Sequence, residues 1–204
     1  MHTTEAMDEL YGGADLHGNN VFLAVCDASG KAVFKRRVKA NLEAVNRVLA
    51  PYWPKLKTLA VESTYNWYWF VDGLREQGRD IRLANPAKMD QYEGLKSTDD
   101  ASDACWLAEQ VRLGILPECY IYPKEVRPIR DALRRRQFFV RQRTQSLLSL
   151  EAFLARQGFD IPGAGAIKAW TSQDVQAFGL EAFDPLQVSS LLKSVQQSDA
   201  LAQG

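Results

Sequence analysis

The sequence predicts an α/β fold followed by a long helix. Three strand-like runs come first, helix-like and strand-like segments then alternate, and beyond Pro123 an apolar residue recurs every seven positions. The chain has 204 residues, of which 46% are hydrophobic and 25% are charged, so its composition is that of a globular domain with an appendage and excludes wholesale disorder. It contains no run of about 18 apolar residues, so we do not expect a membrane span.

The first three strands are predicted over residues 11–17, 20–27 and 31–40. Their connections are only a few residues long, whereas a parallel crossover needs about a dozen residues or more. These strands must therefore be antiparallel neighbours. Val33 and Val38 do not lie on one alternating face of the third strand, so we expect a β-bulge or a mixed register there.

Helices and strands alternate in the next part of the chain. Leu42, Val45 and Val48 have helical spacing after the N-cap candidate Asn41, and Pro51 ends this helix. A strand, an aromatic-rich helix, a second strand and a second helix are then predicted over residues 58–62, 65–77, 80–84 and 99–113. Strands separated by helices indicate a parallel extension of the sheet. The complete order is that of a ribonuclease-H-like mixed sheet with flanking helices, although the spacing also allows other α/β sheets.

A heptad pattern runs through the segment that follows. One repeated position holds only apolar residues, namely Val126, Leu133, Val140, Leu147 and Leu154. The companion position is apolar at both ends but holds Arg136 and Arg143 in the middle. This pattern predicts a coiled-coil helix with a polar centre, the alternative being a helix that lies on its own domain. We therefore divide the chain into an α/β domain over 1–123, a basic coiled-coil helix over 124–157, and a loop with the start of a returning helix over 158–204.

Few cysteines and histidines limit the chemistry that the chain can perform. Cys26, Cys105 and Cys119 are odd in number and widely spaced, which argues against a disulfide framework or a cysteine zinc site and favours a reducing cytoplasm. The two histidines are His2 and His17, so a Ser-His-Asp hydrolase and most histidine metal sites are not expected. His17 lies two residues from Asp15 and could approach a metal ion or a phosphate, but we interpret it as a polar residue at the end of the sheet and leave it out of the site.

Charge is segregated along a chain whose formal net charge is zero. Residues 31–40 carry five basic side chains and no acid, and residues 124–157 carry nine basic and three acidic side chains. Basic clusters are typical of surfaces that bind the phosphate backbone of nucleic acids, although each could also be an ordinary solvated face. The predicted phosphate contacts are Lys35, Arg36, Arg37, Arg134, Arg135, Arg136, Arg141 and Arg143.

Four acidic residues form a candidate metal site. Asp15 lies in the first strand, Glu62 ends a later strand, and Asp100 and Asp103 share one face of the helix predicted over 99–113. Carboxylates at close range repel one another, and one or two divalent cations would remove that repulsion while supporting phosphodiester cleavage. Because oxygen ligands select Mg²⁺ or Mn²⁺ over zinc, the expected cofactor is Mg²⁺ or Mn²⁺.

Each acid also has a purely structural interpretation. Asp15 suits a turn or a strand edge, and Glu62 suits a helix N-terminus, where the dipole favours an acid. Asp99 and Asp100 follow a serine and a threonine, as in a capping box. Asp99 also competes with Asp100 as a ligand, because it lies four residues before Asp103.

Four stretches of the sequence closely resemble one known family: GADLH, VESTYNWYWFVDGLREQG, LANP and KSTDDASDACWLAE. They resemble the amino-terminal half of DEDD transposases, insertion-sequence recombinases whose catalytic domain is similar to the RuvC Holliday-junction resolvase. The resemblance covers about residues 11–156. It implies that the catalytic residues and metal ligands are Asp15, Glu62, Asp100 and Asp103, with Asn85-Pro86 and Ala104 completing the pattern. It also implies a nucleoid-associated, prokaryotic recombinase that binds DNA and a structured guide RNA and forms a homo-oligomer through residues 126–154.

Members of this family continue into a second domain that carries a serine nucleophile. Ser63, Ser97 and the Ser189-Ser190 pair do not match that serine, so we expect a truncated amino-terminal part of a recombinase. The alternative function is a non-catalytic fragment that binds nucleic acid and dimerises. A third class, the actin-like and sugar-kinase ATPases, needs glycine-rich phosphate loops, and Gly12-Gly13 is too short to form one.

Overall fold

The computed structural model describes residues 9–89, 100–160, 163–177 and 185–203, and the side chains at 100–102, 172 and 185–187 lie outside that description. The chain divides into two compact units, Met1–Ile121 and Tyr122–Gly204. Each unit has a hydrophobic core of its own. Within the described ranges, no helix is both long and apolar enough to cross a membrane.

A five-stranded mixed sheet forms the centre of the first unit. Its strands are β1 Leu10–Leu16, β2 Asn20–Asp27, β3 Ala32–Lys39, β4 Leu56–Glu62 and β5 Ile81–Ala84. The spatial order is β3-β2-β1-β4-β5, in which the first three strands of the chain are antiparallel and β4 and β5 extend the sheet in parallel. Strand order and direction confirm the predicted ribonuclease-H-like arrangement.

The β-bulge expected in the third strand is present. The register between β2 and β3 shifts once, just before Phe34. Beyond the shift, Phe34 and Val38 lie on the same face and pack against the hydrophobic core. Because successive side chains of a strand point to opposite faces, Arg36 lies on the core-facing side and Arg37 on the other.

Four helices in the described part of the first unit flank the sheet: α1 Leu42–Leu49, α2 Tyr68–Glu76, α3 Pro86–Met89 and α4 Asp100–Arg112. Asn41 caps α1 as the sequence predicts, because its side-chain oxygen accepts a hydrogen bond from the N–H of Ala44 at 2.8 Å. Helix α2 begins three residues later than predicted. The Thr64 hydroxyl donates to the Asn66 side chain at 2.9 Å, and this bond holds the residues just before α2 in a turn.

Helices cover both faces of the sheet. The face under α1 and α2 forms the main core, which includes Leu23, Leu59 and Phe70. On the other face, α4 crosses β1 so closely that a Cβ added to Gly13 would lie 1.9 Å from the carbonyl oxygen of Ala104. The missing side chain of Gly13 therefore allows α4 to rest directly on β1.

The second unit contains the long helix that the heptad pattern predicts. A 3₁₀ turn, Lys124–Val126, leads into α5 Arg127–Arg156. Three further helices of the described residues follow: α6 Ala164–Ala169, α7 Ser172–Ala177 and α8 Pro185–Gln203. The helix expected to return over residues 186–201 is thus present as α8.

The two halves of α5 differ in what covers them. In the carboxyl-terminal half, Leu147, Leu150, Phe153 and Leu154 form a core with Val188, Leu192 and Val195 of α8. In the amino-terminal half, Ile129 and Leu133 are 65% and 63% exposed. Half of the heptad pattern is therefore used inside this unit, and the other half presents an apolar surface.

Candidate active site

Asp15 lies on β1 with its side chain on the face that α4 covers. Gly13 meets α4 directly, and residues two positions apart along a strand share a face. The residue is only 8% exposed. A carboxylate at this depth is unfavourable unless cations or hydrogen-bond donors compensate its charge, which argues against the interpretation of Asp15 as an ordinary turn residue.

His17 contacts Asp15 at the end of β1. The Nε2 atom of His17 lies 2.9 Å from Oδ2 of Asp15. The imidazole is 42% exposed and the carboxylate only 11%, so His17 lies on the solvent side of the contact and Asp15 on the side of the sheet. The spacing of two residues is the sequence signal for this contact, which the sequence analysis interpreted as an ordinary sheet end.

Glu62 ends β4, the strand next to β1. The last parallel pair of these two strands comes just before Asp15 and Glu62, which therefore occupy corresponding positions. Ala60 packs in a cluster with Leu107 of α4, so Glu62, two residues further on, lies on the α4 face as well. The first two predicted acids are thus neighbours at one end of the sheet and on one face.

Asn66 connects the loop after β4 to the turn after β1. Its side-chain amide donates to the carbonyl oxygen of His17 at 2.9 Å, and its side-chain oxygen accepts from the Thr64 hydroxyl at 2.9 Å. The backbone N–H of Thr64 donates in turn to the carbonyl oxygen of Glu62 at 2.8 Å. These bonds hold together the ends of the two acid-bearing strands, a role that the sequence analysis did not assign to Asn66.

Asp103 lies on α4, the helix that crosses the face carrying Asp15 and Glu62. It is half-buried and directly precedes Ala104, the residue that touches Gly13. The close approach of α4 to β1 therefore brings Asp103 to the side of the sheet that holds the other two acids. A helix-capping role does not explain an acid one turn inside the helix.

The remaining predicted ligand is less fully described. Asp100 is the first residue of α4, but its side chain, and the whole of the competing ligand Asp99, lie outside the described residues. Among the side chains that are described, no three acids, histidines or cysteines are already grouped as a metal site. The structure thus places two predicted acids on adjacent strands and a third on the helix across them. The complete four-acid site stays a prediction.

Basic residues on the edge strand β3 divide between the two faces of the sheet. Arg37 pairs with Phe22 of β2, and Phe22 pairs with Asp15, so the three residues form one row on the α4 face. A strand spacing of about 4.8 Å places the Cα atoms of Arg37 and Asp15 roughly 10 Å apart. Lys35 shares this face, whereas Arg36 lies on the other, and all three side chains are exposed.

Four of the five arginines predicted to bind nucleic acid in the second unit are exposed on α5: Arg134, Arg135, Arg136 and Arg141. The fifth, Arg143, is half-buried and donates to the carboxylate of Asp199 on α8. The hydrogen bond from Arg143 holds the pKa of Asp199 below its usual value. A phosphate group would have to compete with Asp199 for Arg143, so the exposed four are better placed for nucleic acid.

The Cys26 thiol on β2 is a poor nucleophile at neutral pH. Burial and, to a smaller extent, the nearby Glu109 carboxylate raise its pKa to about 11. The thiol therefore stays protonated, and only the thiolate reacts readily. Carboxylates, and not this thiol, are the reactive groups that the α4 face offers.

Comparison with known proteins identifies a family and a structural likeness. The family model for DEDD transposases of the IS110 type, described as a transposase, matches residues 13–157. A search of curated proteins gives no significant match. Among solved structures, the chain is similar to T. thermophilus RuvC in complex with a Holliday junction substrate, with 14% sequence identity and a TM-score of 0.39. The alignment covers 54% of this chain and 99% of that one.

Proposed function

The chain belongs to the DEDD transposase family, and we propose on that basis that it cleaves DNA phosphodiester bonds and transfers strands during transposition of an insertion sequence, with a divalent metal ion. The observation that carries this proposal is the placement of Asp15 and Glu62 on adjacent strands, on the face that α4 crosses with Asp103. Like charges so arranged repel one another, so a cation that neutralises them would stabilise the site.

The donor chemistry of these residues fits magnesium or manganese. Asp15, Glu62 and Asp103 offer only carboxylate oxygens, the hard ligands that such ions prefer, and Asp100 is the proposed fourth ligand. When bound, a divalent ion supplies an activated nucleophile and stabilises the leaving oxygen of a phosphodiester. Nothing else in the described face of the sheet supplies comparable chemistry.

The surrounding residues orient the acids. His17 Nε2 lies 2.9 Å from the Asp15 carboxylate and so orients it. Asn66 ties the loop after Glu62 to the turn after Asp15 and so maintains the spacing of the two strand ends. Both side chains act as positioning residues in this proposal.

Lys35 and Arg37 are proposed to hold the DNA backbone beside the acids, because they extend the α4 face to the edge of the sheet. Replacing both with glutamine is expected to weaken duplex DNA binding about tenfold at moderate salt. The slope of log affinity against log salt should become shallower by about 1.8, since each lost phosphate contact contributes about 0.9. Fluorescence anisotropy with a labelled duplex measures both quantities.

The matched control for this variant is Arg75→Gln combined with Arg156→Gln, which removes the same charge from exposed positions elsewhere in the chain. Its DNA affinity should stay within about twofold of the parent chain, because only charges close to the phosphates release counterions. An equal loss of affinity in both variants would show that net charge, and not the α4 face, governs binding.

Self-association is proposed to use the amino-terminal half of α5. The sequence predicts an oligomer contact over residues 126–154. Because α8 covers the carboxyl-terminal half of α5, we restrict the proposed contact to about residues 126–140. Leu133→Glu is expected to weaken dimerisation at least about a hundredfold, since it puts a charge in both copies at a leucine that the proposed dimer would bury. Sedimentation velocity over a range of concentrations measures the change.

Leu148→Glu provides the control for that experiment. Leu148 is 59% exposed on the same helix but lies outside the heptad positions, so its replacement should leave self-association unchanged. Retention of the dimer by Leu133→Glu, or its loss in Leu148→Glu, would contradict the proposed interface.

A guide RNA and a cytoplasmic, nucleoid-associated location complete the proposal. Four exposed arginines of α5 offer phosphate contacts to such an RNA, because they concentrate positive charge in the middle of the helix: Arg134, Arg135, Arg136 and Arg141. These assignments rest on family membership and on charge.

A DNA-nicking assay separates the proposed enzyme from a non-catalytic binding module. The full chain is incubated with supercoiled DNA in Mg²⁺, in Mn²⁺ or in EDTA, and relaxed product is measured on a gel. Nicking that requires a metal ion supports the proposal. DNA binding without nicking in every condition would favour the alternative, in which the chain only binds nucleic acid and dimerises.

A further inference from the structure

A groove of about 740 Å³ separates the edge strand β3 from helix α1. Phe34 and Val38 of β3 pack into the core beneath α1, so the groove opens on the core-facing side of β3. Asp15 and Glu62 lie on the opposite face of the sheet, under α4. The groove therefore lies on the other face of the sheet from the candidate active site, and Arg37, on the edge strand, borders both.

The charge of the groove suits a polyanion. Its charged lining is mostly basic, with Glu43 as the acidic residue. Arg36 and Arg47 face it directly, whereas Arg37 and Lys39 belong to the other face of β3 and border the groove at the edge of that strand. Arg36 extends from the core-facing side of β3, and Arg47 faces the groove from α1. Arg47 pairs with Glu43, but both side chains are highly exposed, and such pairs contribute little stability. A phosphate group can therefore replace Glu43 as the partner of Arg47.

Two aromatic rings add a second type of contact. Phe34 and Tyr52 line the groove, with ring centroids 5.0 Å apart and planes inclined at 44°. Both side chains are half-buried among core residues, so their positions are fixed before any ligand binds. Aromatic rings within a basic groove are typical of sites on which unpaired bases stack, and bases that remain paired in a duplex cannot reach such rings.

From this combination we propose that the groove between β3 and α1 binds single-stranded nucleic acid. Arg36 and Arg47 contact successive phosphates, and an unpaired base stacks on Tyr52. The proposal goes beyond DNA cleavage, because the groove uses none of the acids and needs no metal ion. It assigns the two faces of β3 to different ligands, with Lys35 and Arg37 beside the acids and Arg36 in the groove.

The test measures binding of fluorescein-labelled dT12 and rU12 by the full chain in EDTA, so that the outcome does not depend on the metal site. Arg36→Gln combined with Arg47→Gln is expected to weaken binding about tenfold. The salt slope should become shallower by about 1.4, since each phosphate contact with a single strand contributes about 0.7. Arg75→Gln combined with Arg156→Gln, which removes equal charge elsewhere, should bind within about twofold of the parent chain.

If the Arg36→Gln, Arg47→Gln variant loses affinity for only one of the two oligonucleotides, the groove prefers that type of strand. If it loses affinity for both, the site does not distinguish deoxyribose from ribose. Either result supports the proposal. Unchanged binding in both arms, or an equal loss in the control variant, would overturn it. A second readout avoids substitution of the half-buried aromatics. Photo-crosslinking with 5-iodouracil oligonucleotides should modify Tyr52 or Phe34, and crosslinks found only on other segments would also overturn it.

Discussion

Replacing Asp15 with asparagine is expected to abolish Mn²⁺ binding while leaving the chain folded. The substitution keeps the size of the side chain but removes the negative charge from the most buried of the described acids. Even the loss of an outer-shell partner weakens metal binding about 10–100-fold, so loss of a ligand should exceed a hundredfold. Electron paramagnetic resonance of free Mn²⁺ gives the affinity, and circular dichroism shows whether the fold is intact.

Asp103→Asn should have the same effect, because α4 presents that carboxylate to the same face. Asp160→Asn provides the control, since Asp160 is exposed in the second unit and should not alter the affinity. Metal-dependent nicking should fall with metal affinity, by about a thousandfold or more for Asp15→Asn, given the several kcal/mol of stabilisation that a metal ion supplies. Unaltered Mn²⁺ affinity in the combined Asp15→Asn and Asp103→Asn variant would refute the proposed site.

Gly13→Ala is expected to destabilise the first unit by at least about 3 kcal/mol. The added Cβ would lie 1.9 Å from the carbonyl oxygen of Ala104 and 2.7 Å from the backbone nitrogen of Ala108. Backbone atoms cannot rotate aside as a side chain can, so the whole of α4 must move away from β1. Urea denaturation measures the free energy of unfolding, and Mn²⁺ affinity should fall in parallel because Asp103 moves with the helix.

Gly165→Ala is the matched comparison for the glycine experiment. Gly165 lies in α6, and a Cβ added there would meet no atom within 4 Å. This substitution should stabilise its helix by about 0.5–1 kcal/mol, because alanine has the higher helix propensity. If Gly13→Ala were as stable as the parent chain, α4 would not rest on β1 as the structure describes.

The directions of the strands could be predicted from the sequence because connection length is a local property, although the position of β4 beside β1 does not follow from it. Short connections on both sides of residues 20–27 require antiparallel neighbours, and intervening helices permit parallel ones. The start of α2 could not be predicted as well. The hydrogen bond between Thr64 and Asn66 competes with helix formation there, and helical spacing alone does not show that competition.

The acids of the candidate site, and their convergence across the sheet, were predicted from residue type and spacing, but the packing contacts that fix their face were not. Asp15 and Glu62 face α4 because Gly13 and Ala60, each two residues earlier, touch that helix. The contact of His17 with Asp15 has the same origin. Residues two apart in a strand point to the same face, but which face that is becomes known only once the packing of the neighbouring elements is known.

By itself, the sequence determined the antiparallel pairing of the first three strands, the long helix and the set of acidic and basic residues, since each follows from spacing within a short window. Only the tertiary structure decided which face each side chain occupies. It separated Arg36 from Arg37, showed that α8 covers half of α5, and assigned Gly13 to a close helix contact. These outcomes depend on packing between segments far apart in the chain, for which no local pattern carries information.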